Sequence, residues 1–132
     1  MTNQTTNILD WFIGKTFNSI VRDKETIVFE SSDGKCWMGH RQECCECVEI
    51  EDICGDIDDL IGSPIIRAEE RIQEGEGDPD SDTDCSATWS FYEFATINGS
   101  ITIRWYGTSN GWYSERVDLL YALPGEEIDM YN

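Results

Sequence analysis

The chain has 132 residues, enough for one domain with a single real core. Its 27 acidic and 9 basic residues leave a formal charge of −18, yet aromatics make up 11% and include five Trp. This composition excludes a coiled coil, a collagenous chain, a helical membrane protein and a disordered acidic tail. It argues equally against a protein that grips nucleic acid directly, because the phosphate backbone would repel it.

In chain order, residues 7–14 predict a short helix: Asn7 caps it, Gly14 ends it, and Ile8, Trp11 and Phe12 share a face. β signals then take over, with short runs at Phe17–Arg22 and Glu25–Glu30. Asp33-Gly34 reads as the turn that folds Thr26–Glu30 onto Lys35–His40. Val48 and Ile50 alternate with Glu49 and Glu51, the period of a half-buried strand. Asp56 is placed to cap a helix of little more than one turn, with Asp58 and Asp59 near its positive end, and Gly62 and Pro64 stop it. Residues 65–72 fit either period; their Ile pair favours a strand.

Asn98-Gly99 predicts a tight hairpin between Trp89–Ile97 and Ser100–Tyr106. With Ile97 opposite Ser100, Phe94 meets Ile103, Tyr92 meets Trp105, and Glu93 meets Arg104 as an opposite-charge pair. Asn110-Gly111 predicts a second turn into Trp112–Tyr121, with a bulge or longer loop at 107–111 so that Val117 and Leu119 reach the core. The fold class expected is α+β, predominantly antiparallel β, a twisted sheet or meander with one or two short helices. Residues 1–132 read as one domain with a mobile acidic loop at about 73–85 and a frayed tail from about 124.

No positive n-region or apolar h-region stands at the N-terminus, so a cytoplasmic location with reduced thiols is expected. Five of the six cysteines and the only histidine crowd into residues 36–54. A tetrahedral zinc site would draw first on Cys36, His40, Cys44 and Cys47. Cys44-x-x-Cys47 is nevertheless a single unit without a second C-x-x-C, so the favoured reading is small buried side chains and no cofactor. Adjacent Cys44 and Cys45 are poor mutual disulfide partners on geometric grounds. A nucleophilic cysteine with His40 as base is disfavoured, because Glu43 and Glu46 oppose the thiolate. No catalytic residues are assigned.

Between Glu43 and Asp84 lie 16 acids and two bases, Arg67 and Arg71. Asp78, Asp80, Asp82 and Asp84 alternate, but Thr83 stands where a calcium loop needs glycine and Trp89 where it needs glutamate. So local an excess suits either a solvated face that keeps the chain soluble or a field that steers it to a basic surface, with acids standing in for phosphates. The candidate contacts are Glu49, Glu51, Asp56, Asp58, Asp59, Glu69, Glu70, Asp78, Asp80 and Asp82, with Trp112 and Tyr113 as aromatic anchors.

The run from His40 through Cys44-Cys45-Glu46, Val48-Glu-Ile-Glu-Asp-Ile53 and Gly55-Asp-Ile-Asp-Asp-Leu-Ile-Gly-Ser-Pro-Ile65 resembles a family of small proteins of bacteriophages and bacteria. So do Ile101–Gly107, Ser109–Gly111 and Tyr113–Glu115. The likeness spans about residues 13–119 of a domain of unknown function. His40, Cys44 and Cys45 match its pattern; Cys36, Cys47, Cys54 and most acids of 74–84 are this sequence's own. The resemblance implies a host-directed inhibitor: a non-enzymatic viral protein in the host cytoplasm, binding a nucleic-acid-handling or defence protein through a basic surface. It would contact neither nucleic acid nor membrane, and open sheet edges would permit a homodimer. The alternatives are a nucleotide-signal sponge in an oligomer and a zinc-stabilised interaction module.

Overall fold

The computed structural model describes residues 9–77 and 86–128. Eight strands follow one another: β1 (Phe17–Arg22), β2 (Ile27–Ser31), β3 (Gly34–Gly39), β4 (Cys47–Cys54), β5 (Arg67–Glu76), β6 (Ser86–Thr96), β7 (Gly99–Ser109) and β8 (Asp118–Ala122). They form two four-stranded sheets, ordered β1-β2-β3-β8 and β4-β7-β6-β5, with antiparallel pairing throughout. Residues 9–12 make a single helical turn, and Ile57–Leu60 a 3-10 turn. The expected antiparallel β class is what forms, as two facing sheets.

Alternation dictates which side chains face inward. Phe29 of β2 and Met38 of β3 meet Phe94 of β6 and Ile101, Ile103 and Trp105 of β7 in one cluster, all of them essentially inaccessible. Phe12 from the helical turn closes that cluster, its ring 4.8 Å from Phe94 and 5.1 Å from Phe29. Trp11 stacks on Tyr121 of the edge strand β8, with centroids 5.6 Å apart. The amphipathic helix read from residues 7–14 thus serves as a plug; residues 7 and 8 lie outside the described residues.

Both hairpin registers differ from the sequence expectation in the same way. Thr96 pairs with Gly99 and Ser31 with Gly34, so the loops are Ile97-Asn98 and Ser32-Asp33, and each glycine opens the return strand. Gly99 has φ +153°, which suits a residue without a Cβ. Phe94 therefore faces Ile101, Tyr92 faces Ile103, and Glu93 faces Thr102. The slip is two residues, so every side chain keeps its face. Only the charge pairing changes: Glu93 bonds Arg67 of β5 at 3.0 Å, and Arg104 bonds Glu51 of β4 at 2.7 Å.

Three further expectations give way. Residues 73–76 belong to β5, paired with Ser86–Trp89, because strand hydrogen bonds outweigh a composition that reads as loop. Residues 107–109 are regular strand rather than bulge or loop. After Asn110-Gly111 the chain crosses to the other sheet, where β8 pairs with β3. That crossing, rather than a shifted hairpin register, is what brings Val117 and Leu119 into the core.

Candidate interaction surface

Apart from Glu43 and Glu46, which lie in the turn before β4, the acids at 43–77 are laid on three elements. β4 and β5 are the opposite edges of their sheet, three strand spacings or roughly 14 Å apart. On β4, Glu49 lies 3.6 Å from Lys24, and Glu51 occupies the irregularity between Ile50 and Asp52, where it accepts from Arg104. Asp56 accepts the Asp58 N–H at 3.0 Å and so caps the 3-10 turn, as its position in the sequence predicts. Asp58 is exposed; Asp59 is half-buried, and its carbonyl accepts the Thr96 hydroxyl at 2.6 Å.

On β5, Glu69 is exposed, whereas Glu70 accepts the Tyr92 phenol at 2.5 Å. Burial, and then the Glu70 carboxylate, push the Tyr92 hydroxyl well above its ordinary range. Glu70 is therefore half spent on the fold. Asp78, Asp80 and Asp82 lie outside the described residues. Trp112 is 86% exposed and Tyr113 half-buried.

These residues do not form one patch. Asp56, Asp58 and Asp59 sit where β6 turns into β7, with Asp59 beside Gly99. Trp112 and Tyr113 follow Ser109, at the other end of the 11-residue strand β7, roughly 33 Å away along it.

The aromatic end is built on two buried carboxylates that the sequence does not flag as functional. His40 sets its Nδ1 against the Arg116 carbonyl at 2.7 Å, and since a carbonyl only accepts, that nitrogen donates. Its Nε2 meets Glu46 Oε2 at 2.8 Å. The same Glu46 accepts the N–H of Glu43 and of Cys44, both at 2.9 Å, and Gln42 donates to the Glu46 carbonyl. Burial works to raise the Glu46 pKa, but the bonds from His40 and the Cys44, Glu46 and Glu43 backbone prevail and bring it from 4.5 to about 2.

Glu115 accepts the hydroxyls of Thr88 at 2.7 Å and Ser109 at 2.5 Å. Ser109 Oγ in turn accepts the Gly111 N–H, and Asn110 Oδ1 accepts the Trp112 N–H, each at 3.0 Å. Trp112 is thus presented on a braced loop. The only sequence signal for these two carboxylates is their place in the family-like runs around Cys44-Cys45-Glu46 and Tyr113-Ser-Glu115.

The zinc set does not assemble. Among the described residues no three His, Cys, Asp or Glu side chains converge as a metal site. Cys36 is inside the core, its thiol pushed up to about 12 by burial, while His40 spends both ring nitrogens on Arg116 and Glu46. Cys47 and Cys54, at the two ends of β4, are exposed rather than buried, and Cys85 lies outside the described residues. Cys44 and Cys45 are joined to each other, contrary to the geometric expectation, in an exposed turn whose backbone Glu46 gathers.

In comparisons with known proteins, the model of a family described as a domain of unknown function, DUF7448, matches residues 10–119. No curated protein and no solved structure matches the chain. No helix among the described residues is long and apolar enough to cross a membrane.

Proposed function

The chain belongs to the DUF7448 family, a domain of unknown function, and from that premise we propose that it is a small acidic binding protein rather than an enzyme. Its negative surface docks on a basic surface of a nucleic-acid-handling or defence protein and occupies the place of phosphates. In this reading it is phage-encoded and acts in the host cytoplasm. The observation that carries the proposal is the distribution of charge: 16 acids against two bases between Glu43 and Asp84. Of those described, all but Glu43 and the buried Glu46 sit on both edges of one sheet and on the capped turn Ile57–Leu60 that lies between them in the chain. Rigid elements hold the carboxylates without the ordering cost that a loop pays on binding. Edges roughly 14 Å apart are on the scale of the ~12 Å major groove between phosphate rows.

The test starts from a partner captured from host lysate. Its affinity for the full chain should fall steeply as salt rises, since exposed charges are screened beyond about 10 Å at 0.1 M. Asp56→Asn, Asp58→Asn and Asp59→Asn combined should abolish binding with the melting temperature unchanged. Normal binding by that triple variant would move the surface elsewhere, and salt-independent binding would end the phosphate-mimic reading.

A further inference from the structure

The outer face of the sheet β1-β2-β3-β8 carries an apolar row that crosses all four strands. Val21 stands opposite Val28, Val28 opposite Trp37, and Trp37 opposite Leu120. Val21 is 64% exposed and the other three are half-buried, with the Trp37 ring lying along the face over Gly39. The next row in the same register is Ser19, Glu30 and Lys35, and it ends on β8 at Ala122, which is already buried within the chain. Glu30 and Lys35 are cross-strand neighbours of opposite sign, yet no ion pair joins them within the chain. On the other side of the apolar row Asp118 is held by Arg41. In a chain of charge −18, this face is close to neutral.

We propose that this face is a homodimer interface, two copies stacking sheet on sheet about a two-fold axis that runs along the strands between β2 and β3. Rotation about that axis exchanges β1 with β8 and β2 with β3. It sets Val21 across from Leu120 of the second copy, Val28 across from Trp37, and Glu30 across from Lys35. Glu30 and Lys35, the two charges of the face that have no ion pair with each other within the chain, are thereby matched by the same operation that closes the apolar row. The face is self-complementary, as an isologous contact requires. Strands on the two copies run aligned within the usual twist of packed sheets. The alternative two-fold, along the apolar row, would leave Glu30 and Lys35 without each other. Four strands span roughly 19 Å. Strands of five or six residues are roughly 17–20 Å long, so the face covers about 350 Å². That is below the roughly 800 Å² per partner of a standard interface, so the dimer is weak and concentration-dependent. Its salt dependence is opposite to that of the basic-partner contact proposed above, because salt screens the repulsion between two copies of charge −18.

Sedimentation velocity on the full chain, from low-micromolar to near-millimolar loading, reads the equilibrium. The expected result is a monomer–dimer mixture that shifts toward dimer with concentration and with salt. Lys35→Glu should weaken the dimer about tenfold or more, because it sets two acids against each other at both symmetric positions. Val21→Asp should weaken it similarly. The double variant Glu30→Lys with Lys35→Glu should restore it, since the charges are exchanged but still matched. Thermal melts of each variant check that the fold is retained. A monomer at every concentration and salt, or a dimer indifferent to both single substitutions, overturns the proposal. A double variant that stays as weak as Lys35→Glu overturns the two-fold arrangement.

Discussion

Glu46 is a charge whose side chain is fully enclosed, and its consequence is a specific acid sensitivity. Its pKa in the folded chain, about 2, lies below the ordinary 4.5. The stability it contributes is therefore complete above about pH 4.5 and is lost as pH falls toward 2. The difference corresponds to about 3 kcal/mol. In urea unfolding followed from pH 7 to pH 2.5, Glu46→Gln should be the less stable chain at neutral pH, and the gap should narrow through the acid range. A gap that stays constant with pH would show that the carboxylate's charge is not what matters. Ser90 is the opposite kind of residue: its Oγ and the cross-strand Trp105 Nε1 are buried side-chain atoms without a hydrogen-bond partner. Ser90→Ala removes an unsatisfied group and should be neutral or stabilising, by up to about 1 kcal/mol in the same unfolding assay.

The elements are tied together by turns in which one residue has little freedom. At Gly99 a Cβ would come within 2.8 Å of Asp59 Oδ2, and φ is positive. Gly99→Ala should cost about 1 kcal/mol or more, read as a lowered melting temperature. It should also disturb the 3-10 turn, because Asp59 and Thr96 meet there through a hydrogen bond. The β6–β7 hairpin remains scaffold despite its revised register. Phe94→Ala empties a site that the rings of Phe12 and Phe29 line within the core cluster, and should cost about 3–5 kcal/mol. The capped turn at Ile57–Leu60 and the braced loop at Ser109–Glu115 are likewise held by named bonds, so each presents its exposed residues in fixed geometry.

For the whole molecule, charge is distributed unevenly between the two sheets. The sheet of β4 and β5 carries the acids on its edges, while the outer face of the other sheet is nearly neutral and apolar. The two proposed associations respond to salt in opposite senses: the partner contact is weakened by it and the self-contact strengthened. Measuring both on one preparation separates them. Trp112, at the far end of β7 from Asp56–Asp59, supplies a further check on geometry. A partner that loses affinity on Trp112→Ala as well as on the triple Asp substitution must reach along the full length of the strand.

Much of the fold was legible in local pattern. Alternation at Val48 and Ile50, the cap at Asp56, the strand preference of 65–72 and the inward set Phe94, Ile103 and Trp105 are all properties of short windows, and period and capping chemistry act at that range. The sequence by itself also determined the net charge and its concentration between Glu43 and Asp84. Register was not determined, because a two-residue slip preserves every face and so leaves the hydrophobic pattern unchanged. Nor was the destination of β8, since Val117 and Leu119 satisfy a core in either sheet. His40 shows the limit most directly. Its partners, Glu46 and the Arg116 carbonyl, stand six and 76 residues away, and only the crossing of 110–117 between the sheets brings the second of them to its ring. The neutral row Val21, Val28, Trp37 and Leu120 belongs to the same class: four unremarkable residues on four strands, made contiguous by pairing that no single window contains.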